Sequence, residues 1–215
     1  MNIETIPYNQ YLESIPQSGH HILAQQRTDE ILVYQAFNPR IAKYAIEHQK
    51  FGGDHYSFSR MTWIKPNFLW MMYRCGWAEK EAQKQVLGIW IRKEGFVQIL
   101  EEAVYSAYKE DIYHNIDNWK AKLKASNVRL QWDPDHDIYG EKQARRAIQL
   151  GLRGEIQKTF NDDMIVEIIN ITPFVKEEKA KIDKGEIASL LVPQEAVFLT
   201  GNEELDTRLR LGMGN

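Results

Sequence analysis

The sequence predicts a single α+β domain in which helices flank a mixed or antiparallel central sheet. Segments rich in β-branched and aromatic residues, the side chains that favour strands, recur along the chain. Segments with a helical spacing of apolar residues lie between them, without the regular alternation of a doubly wound sheet. The chain has 215 residues, of which 43% are hydrophobic, and its sequence contains no internal repeat. It is therefore long enough to fill one core.

The first predicted strand is "ILVYQAF", which ends at "NP". A helix follows over 38–53, because Asn38 can cap its first turn and a pair of glycines ends it. The next stretch, "SFSRMTWIKPNFLWMMYRCGWA", contains a short strand and then a helix between Pro66 and Gly76. Apolar residues lie on every side of that helix, so we expect it to be buried, with Cys75 as an inert thiol.

The same criteria apply to the rest of the chain. "DPDHD" is predicted to be the turn after the strand at 127–132, and Pro193 is expected to confine its strand to a sheet edge. They predict, in order, a strand at 85–91, helices at 94–110 and 118–125, strands at 127–132, 143–155 and 163–172, a solvated helix at 176–186 and an edge strand within 187–199.

We divide the chain into three parts by composition. Residues 1–30 are polar and form an N-terminal arm, and residues 31–175 form the core domain. Residues 176–215 begin with the charged, apolar-poor run "KEEKAKIDKGE", so we expect a charged connector and a C-terminal extension that packs on the core.

Charge and cysteine content limit the function classes. The net charge is −3, which gives no overall attraction to nucleic acid or to an anionic membrane. Residues 60–93 nevertheless carry seven cations against two carboxylates. One cysteine allows no intrachain disulfide, and the N-terminus lacks the pattern of a signal peptide, so the expected location is the cytoplasm. No apolar run is long enough to span a membrane.

Metal and nucleophile motifs are absent from the sequence. "DPDHD" begins like a calcium loop, but Ile138 and Ala144 occupy the positions where that loop needs Gly and Glu. The histidines lack metal-ligand spacing, and a single cysteine excludes the usual structural zinc sites. There is no GxSxG motif. We therefore predict no metal site.

The turn "SRMTWIKP" is the strongest candidate for a binding site. Arg60 and Lys65 flank Trp63 just before a helix start, whose free N–H groups favour anions. Cations and a helix start suit phosphate, and an aromatic face suits a base, so a nucleotide is the expected ligand. The alternative is that the tryptophans belong to the core and the cations extend to water.

Five stretches carry a resemblance to a known family: "VYQAFNPRIAKYAIEHQKFGG", "FSRMTWIKPNFLWMMYRCGWA", "VLGIWIRKEGF", "VRLQWDPDHD" and "RAIQLGLRGE". Together they resemble the family catalogued as domain of unknown function 4291, over roughly residues 28–175. That family carries no established activity to transfer to this chain.

The opening strand and helix, followed by "FS", also resemble ADP-ribosyltransferase domains, which split NAD. This resemblance implies that Gln35 holds the nucleotide, although the family has Arg or His there. It implies that Ser59 occupies the second-strand position and that Tyr73 stacks on the ligand. Glu155 in "GLRGE", with Glu195 as the alternative, would stabilise the developing sugar cation.

These arguments predict a nucleotide-using enzyme of the ADP-ribosyltransferase type, with NAD as substrate and no other cofactor. One alternative is a module that binds single-stranded nucleic acid, which could also be the acceptor, through the basic segment and a second cluster of arginines. The other is a small-molecule binding or structural protein without catalysis. The predicted catalytic residue is Glu155, and the predicted binding residues are Gln35, Ser59, Arg60, Trp63, Lys65, Tyr73 and Arg74.

Overall fold

A computed structural model describes residues 3–214, and its architecture is the predicted single α+β domain. The strands are β1 (Thr5–Pro7), β2 (Gly19–His20), β3 (Ile22–Ala24), β4 (Glu30–Phe37), β5 (Thr62–Ile64), β6 (Gln85–Arg92), β7 (Ala103–Tyr105), β8 (Val128–His136), β9 (Lys142–Leu152), β10 (Ile165–Asn170), β11 (Leu191–Pro193) and β12 (Ala196–Phe198). The α-helices are α1 (Tyr8–Ser14), α2 (Pro39–His48), α3 (Phe68–Cys75), α4 (Lys93–Glu101), α5 (Glu110–Tyr113), α6 (Ile116–Ala125), α7 (Gly154–Thr159), α8 (Thr172–Lys184) and α9 (Glu203–Leu209).

Two larger sheets meet at one point and together form a curled central sheet. An antiparallel sheet has the order β10-β6-β4, and a mixed sheet has the order β2-β9-β8-β7, with β5 paired to β9. The main chains of Tyr34 in β4 and Lys65 after β5 exchange hydrogen bonds of 2.7 and 3.2 Å. This bridge fixes Lys65 at the junction of the two sheets.

Strand β4 is buried on both faces. Ile31 and Val33 belong to one hydrophobic cluster, whereas Leu32 and Tyr34 belong to a second cluster on the opposite face. Because side chains alternate along a strand, a strand covered on both sides reads as an unbroken apolar run. This explains why "ILVYQAF" was predictable, and the same holds for β6.

Helix α3 lies in the second cluster, as its all-round apolar surface predicted. The Asn67 side chain caps it by accepting a hydrogen bond from the Trp70 N–H at 2.7 Å, and Gly76 ends it with a φ of 58°. Trp70 is buried. Cys75 is fully buried, as predicted, and burial raises the pKa of its thiol.

Two sequence predictions about local structure are wrong. "DPDHD" is not a turn: β8 continues to His136, because the Asp135 carboxylate is buried in a 2.7 Å ion pair with Arg145 on neighbouring β9. The helix predicted over 94–110 ends at Glu101, and β7 follows it because residues 103–105 pair with β8.

The two terminal segments pair with each other. Strand β1 pairs with β11, and β3 pairs with β12, so that Pro193 lies in a two-stranded sheet opposite Thr5. Tyr8 and Tyr11 of α1 are buried in the second cluster. Within residues 3–214, no helix combines the length and the apolar character needed to cross a bilayer.

Candidate functional site

A pocket of about 620 Å³ opens where the two sheets meet. Its walls come from β4, from β5 with the loop before it, from α3, and from the facing strands β8 and β9. The bridge between Tyr34 and Lys65 lies at the same junction. Segments far apart in the sequence therefore contribute to one concave site, which is the usual setting for a small-molecule ligand.

The pocket is cationic. Arg60, Lys65 and Arg74 line it, and none of the described residues that line it is Asp or Glu. Within residues 3–214, none of the three cations forms an ion pair with a carboxylate. Positive charge that is not ion-paired attracts an anionic ligand, and low-dielectric walls strengthen that attraction.

Lys65 is the cation that the fold buries. It is 5% exposed, and its Nζ has one hydrogen-bond partner among the described residues, the Trp63 carbonyl at 3.5 Å. Burial and the nearby charge of Arg74 lower its pKa to about 8, against a weaker opposite effect of Asp133. A buried ammonium without a carboxylate is costly, so its position in a pocket indicates a ligand anion as the missing partner.

Gln35 lines the same pocket, and its buried Oε1 has no hydrogen-bond partner among residues 3–214. Its Nε2 donates to Thr62 Oγ1 at 2.6 Å and to the Trp63 carbonyl at 3.1 Å. Because that carbonyl can only accept, the orientation of the amide is fixed, and the buried Oε1 is left without a partner. Gln83, which also lines the pocket, has a buried unpaired Oε1 as well. Both oxygens are out of contact with solvent, so a ligand donor reaches them only after the amide side chains turn toward the pocket.

Trp63 forms a wall of the pocket, and a glycine makes room for it. Trp63 pairs with Gly151 across β5 and β9. A Cβ on Gly151 would lie 2.6 Å from Met61 Sδ and 2.9 Å from Trp63 Cζ2. The absence of that side chain therefore lets the indole lie against the strand, where its half-buried ring still faces the pocket.

Residues 21–198 match the protein family described as Domain of unknown function (DUF4291). The chain belongs to that family. The match contains the whole pocket lining from Gln35 to Gln149, so the site is part of the DUF4291 domain itself. No curated protein matches the chain significantly. These comparisons add no support to the resemblance to ADP-ribosyltransferases.

The DUF4291 domain brings five of the seven predicted binding residues together: Gln35, Arg60, Trp63, Lys65 and Arg74 all line the pocket. Ser59 does not line it; its exposed hydroxyl bonds that of Ser57, which does. Tyr73 lies outside the lining too, and it stacks on the His136 ring with centroids 3.5 Å apart. The remaining two predicted binding residues are thus not part of the described lining.

The two candidate acids lie elsewhere. Glu155 is on α7, is exposed and pairs with Lys158 at 3.0 Å. Glu195 is buried beneath the start of α3, where it accepts hydrogen bonds from the Phe68 N–H at 2.6 Å and the Tyr11 hydroxyl at 2.8 Å. Burial raises its pKa to about 8. Neither carboxylate belongs to the described lining of the pocket.

Gln131 and Gln149 are among the lining residues that were not predicted from the sequence. They are directly opposite each other on β8 and β9, and Gln149 Nε2 donates to Gln131 Oε1 at 2.9 Å and to Asp133 Oδ2 at 2.7 Å. Polar residues alternating with apolar ones in "LQW" and "IQL" were the available signal.

The second basic cluster, invoked for nucleic acid, is partly occupied by structural contacts. Arg145 is in the buried pair with Asp135, and Arg153 donates to the carbonyls of Lys124 and Ser126 near the end of α6. Among the described residues, no group of three metal-binding side chains is close enough to hold an ion.

Proposed function

We propose that the DUF4291 domain binds a phosphorylated small molecule of the nucleotide class. The observation that carries this proposal is Lys65, a buried ammonium that lines a pocket without a carboxylate. A phosphate supplies the anionic oxygens that such a cation lacks, and Arg60 and Arg74 add charge on the same pocket.

The rest of the ligand is recognised by different chemistry. Trp63 offers an aromatic face on which a base can stack. The amide side chains of Gln35 and Gln83 line the pocket, and a turn of each side chain would bring its buried Oε1 to sugar hydroxyls or a base amino group. A nucleotide carries all three features, namely phosphate, a flat ring and several donors, whereas inorganic phosphate carries the first alone.

NAD is the substrate that the ADP-ribosyltransferase resemblance implies, and it belongs to this ligand class. Its cleavage would benefit from a carboxylate beside the reacting ribose. Because Glu155 and Glu195 both lie outside the lining, the geometry supports nucleotide binding more strongly than nucleotide cleavage. Transfer of ADP-ribose is therefore the enzyme activity to assay once binding is established.

Thermal unfolding with and without ligand tests the proposal. We expect ADP and NAD, but not adenosine, to raise the Tm of the wild-type protein. Lys65→Met should weaken binding by about ten- to hundredfold, the usual effect of losing a hydrogen bond to a charged group. Lys84→Met is the matched control, because Lys84 is an exposed cation of the same basic segment outside the described lining. If ADP and NAD raised the Tm of Lys65→Met and Lys84→Met by the same amount, the proposed binding site would be refuted.

Salt dependence separates this proposal from binding of single-stranded nucleic acid. A strand that contacts many cations loses affinity steeply as salt rises, whereas a nucleotide held in one pocket loses much less. A short oligonucleotide that binds more tightly than ADP, with a steep salt dependence unaffected by Lys65→Met, would favour the nucleic-acid alternative.

A further inference from the structure

We infer that the Lys65 amine forms an imine with the carbonyl group of a phosphorylated aldehyde or ketone bound in this pocket. The inference rests on the proposed function for the phosphate, and it assigns Lys65 a covalent role beyond that of a charge. Lys65 is the one lysine among the described residues that the fold buries, and it lines an open pocket of about 620 Å³.

The surroundings of Lys65 make its ammonium group easier to deprotonate than that of an exposed lysine. Lysines that form imines are desolvated or lie next to a second cation, because both conditions oppose protonation of the amine. Lys65 satisfies both: it is 5% exposed, and Arg74 is the nearby charge that most opposes its ammonium form. The single long contact of its Nζ to the Trp63 carbonyl leaves the nitrogen available.

The other two cations complete the binding site. Arg60 and Arg74 also line the pocket, and a guanidinium group matches the geometry of phosphate oxygens. When the ligand carries a carbonyl group, these two cations hold its phosphate while Lys65 reacts. A nucleophilic amine and two phosphate-binding cations thus line the same cavity.

The reaction is balanced without an oxidant or a metal. The lone pair of Lys65 Nζ attacks the carbonyl carbon, a C–N bond forms as the C=O π bond opens, and one proton passes from nitrogen to oxygen to give a carbinolamine. Nitrogen then gives up its second proton, the C–O bond breaks as the hydroxyl group leaves with a proton as water, and the C=N bond forms. Amine and carbonyl compound are thereby converted to imine and one water, and hydrolysis reverses the process.

Pyridoxal 5′-phosphate is the probe, because it combines an aldehyde, a phosphate and a flat ring. Wild-type protein is incubated with it, reduced with borohydride and mapped by peptide mass spectrometry. We expect one label per chain on the peptide that contains Lys65, and at least about tenfold less labelling by pyridoxal, which lacks the phosphate. ADP should slow the labelling by competition.

Variants distinguish a specific reaction from adventitious modification of surface lysines. Lys65→Arg keeps the charge and should remove the specific label, while Lys84→Met should retain it; circular dichroism checks that both fold. Labels spread over exposed lysines at equal rates would overturn the inference. If the labels are spread in this way but ADP still raises the Tm in a Lys65-dependent way, the proposed function survives and the imine is excluded. If the specific label and the Lys65-dependent rise in Tm are both absent, the imine and the proposed function are both refuted.

Discussion

At the scale of single residues, Lys65 and Glu195 are both buried and ionisable but differ in their partners. The Glu195 carboxylate accepts hydrogen bonds from a backbone N–H, from Tyr11 and from Asn67 at 2.6, 2.8 and 3.2 Å. Among the described residues, Lys65 Nζ has one hydrogen-bond partner, the Trp63 carbonyl at 3.5 Å. A buried group with a full set of partners serves the fold, whereas one without them is available to a ligand.

Glu195 should make stability depend on pH. Burial raises its pKa from 4.5 to about 8, so between these values the folded protein holds a proton that the unfolded chain has lost. The free energy of unfolding therefore falls as pH rises from 4.5 to 8, by up to about 1.4 kcal/mol per pH unit. Glu195→Gln should remove this contribution, so the difference in Tm between variant and wild type should change steadily from pH 5 to 8.

Glu155→Gln is the control for that measurement. Glu155 is exposed and makes one contact, an ion pair with Lys158. Its replacement should leave the pH dependence of the Tm as in wild type. If Glu195→Gln also follows the wild-type curve, then burial does not keep Glu195 protonated.

At the scale of elements, the close approach of β5 to β9 shapes the pocket. Gly151→Ala should place a methyl group against Met61 and Trp63, at 2.6 and 2.9 Å, and displace the aromatic wall. We expect a loss of about 1–3 kcal/mol in stability, typical of overpacking, together with weaker nucleotide binding. Chemical denaturation and ligand titration measure the two effects.

Gly88→Ala is a matched control for Gly151→Ala. Gly88 lies in β6, away from the described lining, and a Cβ there would meet Ile169 at 3.1 Å and Leu32 at 3.3 Å. This variant should lose stability but keep its ligand affinity. An equal loss of affinity in both variants would mean that stability alone governs binding.

Elements determined by neighbouring residues could be predicted from the sequence, whereas elements determined by contacts between distant strands could not. Strand β4 contains the apolar run "ILVY", and α3 has its cap and its glycine stop within ten residues of sequence. "DPDHD" has the composition of a turn, but Asp135 stays in a strand because its partner Arg145 lies on β9. Arg60, Trp63 and Lys65 were found because they are neighbours in sequence, whereas Gln131 and Gln149 meet only across paired strands.

At the scale of the whole molecule, the pocket joins two sheets. Gln35 comes from the sheet of β4, and Gln131 and Gln149 come from the sheet of β8 and β9. A ligand that contacts both sides stabilises their junction as well as the folded state. When the free ligand concentration is a hundred times the Kd, binding adds about 2.7 kcal/mol to the free energy of unfolding. In a chain of this size, each added kcal/mol raises the Tm by roughly 2–4 °C.

That ligand-induced stabilisation should decline above pH 8. The pKa of Lys65 in the free protein is about 8, set by burial, Arg74, Cys75 and Asp133, and a bound phosphate raises it by favouring the ammonium form. Binding therefore takes up a proton above pH 8, and the Kd should increase by up to about tenfold per pH unit from there until the pKa of the complex is reached. Titration with ADP from pH 7.5 to 9.5 measures this, in a range where the phosphate charge is constant. Lys65→Arg, which keeps its charge, should bind ADP with a Kd that does not change over that range; a wild-type Kd that is equally constant would mean that Lys65 does not meet the phosphate.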